Sequence, residues 1–173
     1  MTDPVETSRP SLDWKRLPGD RKLMAAAAFW RDGNGHAEQA EVITTIANRI
    51  KFRPKSVIAM SVEKKSRHLV ALPAISEAVA ARLLVAYHIV HQRPMMGRFL
   101  DALGVAHEDG LIAEEKLEPI AKERLVSAAK TLAGSYPAED VSLYFSTLLW
   151  QDPETWGALS GLAEAPPVAD PAP

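Results

Sequence analysis

Apolar residues recur along this chain at three- and four-residue spacing, the period of an amphipathic helix. One stretch departs from that pattern. Residues 74–92, AISEAVAARLLVAYHIVHQ, follow Pro73 and end before Arg93-Pro94, and they are apolar on nearly every side. A helix with that pattern is one that other helices surround. It is expected to be the central helix, with the remaining elements packed around it.

Those elements can be read in order. Leu12, Trp14 and Leu17 mark an N-terminal segment that can tuck onto a core, and Pro18-Gly19 breaks the chain after it. Asp20 is a candidate N-cap for RKLMAAAAFWR, a helix whose stripe is Leu23, Ala27 and Trp30. Its four alanines allow a neighbour to approach closely. Asp32-Gly33-Asn34-Gly35 reads as a turn with residues suited to positive φ. A helix from about His36 to Ile50 carries the stripe Gln39, Val42/Ile43, Ile46, Ile50. A short piece from Pro54 turns Val57, Ile58 and Met60 inward, and Ser61 caps the next helix, which runs through Leu72.

Beyond the central stretch, Pro94 opens MMGRFLDAL, and Gly104 fits a left-handed C-terminal cap with Val105 as its apolar contact. AHEDG, residues 106–110, reads as a loop. A helix from near Pro119 to Ala133 and a further one from Pro137 follow. Asp152-Pro153-Glu154 gives an N-cap, a first-position proline and an acid for a short last helix. No stretch alternates with period two over a useful length. The expected fold is therefore all-α: a single irregular bundle of about eight helices over residues 12–162. Residues 1–11 and the Pro/Ala-rich tail 163–173 are expected to be disordered, since neither can build a core.

Composition narrows the chemistry. The 173 residues include no cysteine, which excludes disulfides, thiol nucleophiles and Cys-based zinc sites. The first residues lack a basic stretch leading into an apolar run, and the central stretch is interrupted by Arg82, His88 and His91. No membrane span is expected, and the compartment expected is the cytoplasm. The net charge of −2 hides an asymmetry. Residues 1–68 hold 13 Lys/Arg against 8 Asp/Glu, and residues 69–173 hold 7 against 14.

Three groups of residues could carry function. Arg49, Lys51, Arg53, Lys55, Lys64, Lys65 and Arg67 set seven cations against the single Glu63, with Phe52 among them. That is the composition of a phosphate-binding footprint, and also of an ordinary solvated face. Arg82 sits amid apolar residues of the central helix, so its guanidinium needs a carboxylate or a route to water. Asp101 or an acid of 108–118 is the expected partner, and Arg82 marks where a pocket would matter. His88 and His91, three residues apart, can aim at one point as metal ligands. With Glu77 and Gln92 they form a strip expected to be a partly exposed seam. A third ligand from His107, Glu108 or Asp109 would sit at the far end of the following helix, away from His91.

The Gly33-Asn34-Gly35 turn could seat an anion, but it lacks the longer phosphate-loop pattern. Neither G-x-S-x-G nor H-E-x-x-H occurs. The first expectation is thus a non-enzymatic helical domain acting through protein–protein contact, a homodimer being one form. The alternatives are nucleic-acid or polyanion binding through residues 49–67, and a divalent metal held by His88 and His91. No other cofactor is expected.

Overall fold

The computed structural model describes residues 8–163. The expectations for residues 1–7 and 164–173 lie outside the described residues. The chain is all-α, with one two-stranded hairpin. No helix among the described residues is long and apolar enough to cross a membrane. The helices gather into two compact units, Arg9–His91 and Gln92 onward with Ser8.

In the first unit the helices are α1 (Pro10–Arg16), α2 (Gly19–Arg31), α3 (His36–Ile50), α4 (Pro54–Ile58), α5 (Val62–Val70) and α6 (Glu77–His91). Helix α1 starts at Pro10, within the segment expected to be loose. Helix α6 is the central stretch, and α1, α2 and α3 all pack on it. Val79, Ala80, Leu83, Leu84, Ala86 and Tyr87 are buried along it. Its N-terminal end is tied to α1: the Ser11 backbone N–H donates to Glu77 Oε2 at 3.0 Å, and the Ser11 hydroxyl donates to Oε1. The Ser11 bonds hold the Glu77 carboxyl below its ordinary range.

Helix α2 turns a different face inward from the one expected. Ala25, Ala26, Ala28 and Phe29 are buried, whereas Leu23 is exposed and Ala27 and Trp30 are half-buried. Both α5 and α6 pack on this helix. Alanine admits two close neighbours where leucine would hold them apart, so the small face wins over the bulky one.

The turn into α3 forms without positive φ, since Gly35 has φ −99°. Asp32 Oδ1 accepts the Asn34 N–H at 2.9 Å. Gln39 Nε2 then reaches back to the Phe29 and Asp32 carbonyls at 2.8 and 2.9 Å. Those carbonyls, at the end of α2, also accept the Asp32 and Gly35 N–H groups, so Gln39 adds a second donor to each. Ser61 caps α5 as expected by accepting the Lys64 N–H at 3.2 Å. In α4, Val57 is buried but Ile58 is exposed.

The second unit comprises α7 (Arg93–Leu103), β1 (His107–Glu108), β2 (Leu111–Ile112), α8 (Lys122–Ala133), α9 (Ala138–Gln151), α10 (Pro153–Trp156) and a 3-10 turn, Gly157–Leu162. Its core joins Met95, Phe99 and Leu100 of α7 to Leu125 and Leu132 of α8, Phe145 and Leu148 of α9, Trp156 and Leu159. Phe99 sits edge-on to Tyr144, with centroids 5.7 Å apart. Gly104 adopts φ +67° and Val105 N–H reaches the Leu100 carbonyl at 3.0 Å, the expected cap. Asp152 caps α10 through the Thr155 N–H at 3.2 Å.

The expected loop 106–110 is instead part of a hairpin, with His107 opposite Ile112 and Glu108 opposite Leu111. Asp109 and Gly110 form its two-residue connection, at φ +50° and +85°. Two consecutive positive φ values match the turn whose twist suits a tight antiparallel pair. The hairpin folds back along α7. His107 Nε2 lies 2.8 Å from Asp101 Oδ1, while Arg93 Nη1 lies 3.4 Å from Asp109 Oδ2.

Candidate functional site

Each predicted group can now be placed. Arg82 meets Glu38 of α3, with Nε 3.8 Å from Oε2, and not the acids expected from later in the chain. About a third of the Arg82 side chain remains exposed, and its Cγ packs over Gly35, where an added Cβ would lie 3.4 Å away. The stem therefore covers the α2–α3 turn while the guanidinium keeps both a carboxylate and a route to water.

The two histidines do not share one environment. His88 is buried at 3% exposure and His91 is exposed. The expected seam fails at His88, which lies with Leu84 and Tyr87 among the buried residues of α6, while Glu77 and His91 stay exposed. Burial pushes the His88 imidazole down to about 4, so the ring is neutral near pH 7. His91 stacks against Tyr87 at 5.4 Å, and desolvation with the nearby Arg21 charge lowers its affinity for a proton. Arg21 Nη1 donates to the Tyr87 hydroxyl at 2.5 Å. Among the described residues, no three His, Asp or Glu side chains form a group that could hold a metal. His107 is engaged otherwise: its Nδ1 accepts the Gly110 N–H at 3.0 Å, which leaves Nε2 to donate to Asp101.

The Gly33-Asn34-Gly35 turn spends its Asn34 N–H on Asp32. A shallow groove of about 280 Å³ lies in the first unit between α3 (Glu41, Val42, Thr45) and the chain leading into α6 (Leu72, Ala74, Ile75, Ser76, Val79). It sits beside the central helix, at its N-terminal end, and Arg82 does not line it.

The seven cations of residues 49–67 all belong to the first unit, on α3, α4, α5 and the connection between α3 and α4. They divide into two sets. Arg49 donates to the Ala71 carbonyl, which ties the end of α3 to the end of α5. Lys65 lies over the Trp30 ring, 4.8 Å from its centroid. The other five, Lys51, Arg53, Lys55, Lys64 and Arg67, are exposed, and none is ion-paired to a carboxylate among the described residues.

Two of these five, Lys51 and Arg53, flank an exposed ring in the chain. Lys51 ends α3 in the left-handed conformation at φ +60°. The next N–H, from Phe52, returns to the Ala47 carbonyl at 3.0 Å. Pro54 then starts α4, which is pinned by the fully buried Val57. Phe52 is left 53% exposed between Lys51 and Arg53. On α5, Val62, Ser66 and Leu69 turn inward, while Glu63, Lys64 and Arg67 share the outer face. No family model, curated protein or solved structure matches this chain.

Proposed function

We propose that this chain is a polyanion-binding protein that works through the exposed cations of α3–α5. The observation that supports this reading is the set of five exposed lysines and arginines with no carboxylate partner among the described residues. Cations of an ordinary charged surface are interspersed with acids. Here Glu63 is the sole acid in residues 49–67. A ligand carrying closely spaced phosphates or sulfates gains by releasing counterions when such a set contacts it.

The test is the salt dependence of binding to immobilised polyanions and nucleic acid. Five contacts give a slope of log affinity against log salt of about −3.5, or roughly a 100-fold loss between about 50 and 200 mM salt. The triple variant Lys51→Gln, Arg53→Gln, Lys55→Gln lowers that slope by about 2. Absence of salt-dependent binding to any polyanion removes the reading.

A second reading, contact with a protein partner or a second copy, draws on the exposed apolar side chains Phe52 and Ile58, which are 53% and 56% accessible. It is tested by sedimentation: a monomer at high concentration, unaltered by Ile58→Asp, argues against self-association.

A further inference from the structure

We infer that the ligand of the α3–α5 cations is a single-stranded nucleic acid, with Phe52 as the platform on which one base stacks. The inference rests on the polyanion reading and adds the ligand's class.

A single exposed phenylalanine is ordinary on a protein surface. Three features set Phe52 apart. It is flanked directly by two exposed cations without carboxylate partners among the described residues, Lys51 and Arg53. Its backbone is fixed on both sides, by the Phe52 N–H bond to the Ala47 carbonyl and by Pro54 at the first turn of α4. It is 53% exposed although buried Val57 lies only five residues on, so the chain turns this ring outward while anchoring its neighbours. An exposed ring on a restrained backbone, with a cation on either side in the chain, suits a ligand that offers flat apolar faces and anionic linkers together.

Other polyanions fit less well. Inorganic polyphosphate and sulfated polysaccharides have no flat aromatic face to set against the ring. A duplex keeps its bases stacked on one another and offers the ring no free base face, so beyond its phosphates it would be read by an element inserted into a groove. The candidates for insertion are poor. Helix α4 has five residues, and the outer face of α5 places Glu63 beside Lys64 and Arg67. A carboxylate pressed toward the phosphate-lined groove is repelled.

The experiment uses the full chain and labelled oligonucleotides of about 15 nucleotides. Fluorescence anisotropy compares single-stranded DNA, single-stranded RNA, duplex DNA of the same length, and polyphosphate as competitor. Single strands are expected to bind more tightly than duplex, and the DNA and RNA arms show which sugar is preferred. Phe52→Ala is expected to weaken single-strand binding about 5- to 150-fold with no change in salt slope, while Phe52→Trp restores it. Because Phe52 is exposed, Phe52→Ala is checked for an unchanged far-ultraviolet circular dichroism spectrum. Phe52→Ala binding like the parent, or polyphosphate competing as well as single strands, overturns the stacking inference and leaves the polyanion reading standing. Absence of salt-dependent binding in every arm overturns both.

Discussion

Two glycines of the second unit have positive φ, yet alanine at each should cost different amounts. At Gly110, φ is +85°, and an added Cβ would lie 2.8 Å from the Arg93 carbonyl oxygen, 3.0 Å from Met96 Cβ and 3.2 Å from the Gly97 nitrogen. Two of those atoms are helical backbone and cannot step aside. At Gly104, φ is +67°, and the tight neighbour, 3.0 Å away, is Arg124 Nη2, the far end of a flexible side chain. The conformational cost is common to both, about 1–2 kcal/mol. Overlap with fixed atoms adds about 1–3 kcal/mol at Gly110 alone. Gly110→Ala should therefore lose about 2–5 kcal/mol and Gly104→Ala about 1–2 kcal/mol, as measured by urea unfolding of the full chain. If the hairpin instead lifts off α7 to relieve the overlap, the amide at position 110 loses its bond to His107 and exchanges faster with solvent. Equal losses in the two variants, with unchanged exchange at position 110, would show that the hairpin is not pressed against α7 as described.

Three further outcomes follow from the first unit. The unfolded chain binds the His88 proton near its ordinary value of 6.5, whereas the folded chain binds it only near 4. Between those values the unfolded state holds more protons, so this group's stability is full above about pH 6.5 and is lost as pH falls toward 4, about 3 kcal/mol in all. His88→Gln should flatten that part of the curve, measured as unfolding free energy against pH. Gln39→Leu should cost about 1–3 kcal/mol, because it removes two hydrogen bonds that tie α3 to the end of α2, and a thermal melt measures it. Ser61→Ala should cost about 1 kcal/mol through the lost cap on Lys64 N–H, and Ser61→Asp should recover it.

What could be read from the chain, and what could not, follows the range of the forces involved. Caps are local, so Ser61, Gly104 and Asp152 were legible from one or two residues of context. The central helix was legible because an all-round apolar pattern has no other soluble use. It starts at Glu77 and not at the expected residue 74, because Ser76 supplies a cap: its hydroxyl accepts the Val79 N–H at 3.2 Å. The buried face of α2 was not legible. Leu23 and Trp30 have more apolar area than the alanines, and only the demand of α5 and α6 for close approach decides the matter. The Asp109-Gly110 turn carried its signal in the dipeptide itself. Periodicity does not reveal the hairpin, because the flanking strands are two residues each and show no alternation.

The cationic segment shows the same division between local and nonlocal information, and it bears on which residues can act. By sequence the seven cations are equivalent. The fold makes them unequal. Arg49 is committed to the Ala71 carbonyl, and Lys65 to the face of Trp30, each on a part of the first unit distant in sequence. A guanidinium already donating to a carbonyl is held in place and has fewer N–H groups to turn toward a phosphate, whereas Lys51, Arg53, Lys55, Lys64 and Arg67 carry no such tie among the described residues. Charge counting would assign all seven equal weight. The geometry instead leaves the proposed binding to the five uncommitted cations, three of them on the short Lys51–Lys55 stretch, where backbone restraint comes from the end of α3 and the start of α4. Neutralising Arg49 should accordingly cost stability more than affinity, through the lost tie between α3 and α5. Neutralising Lys51 or Arg53 should cost affinity and leave the melting temperature unchanged. The reverse pattern, with Arg49→Gln weakening ligand binding and Lys51→Gln silent, would place the contact surface elsewhere on the unit.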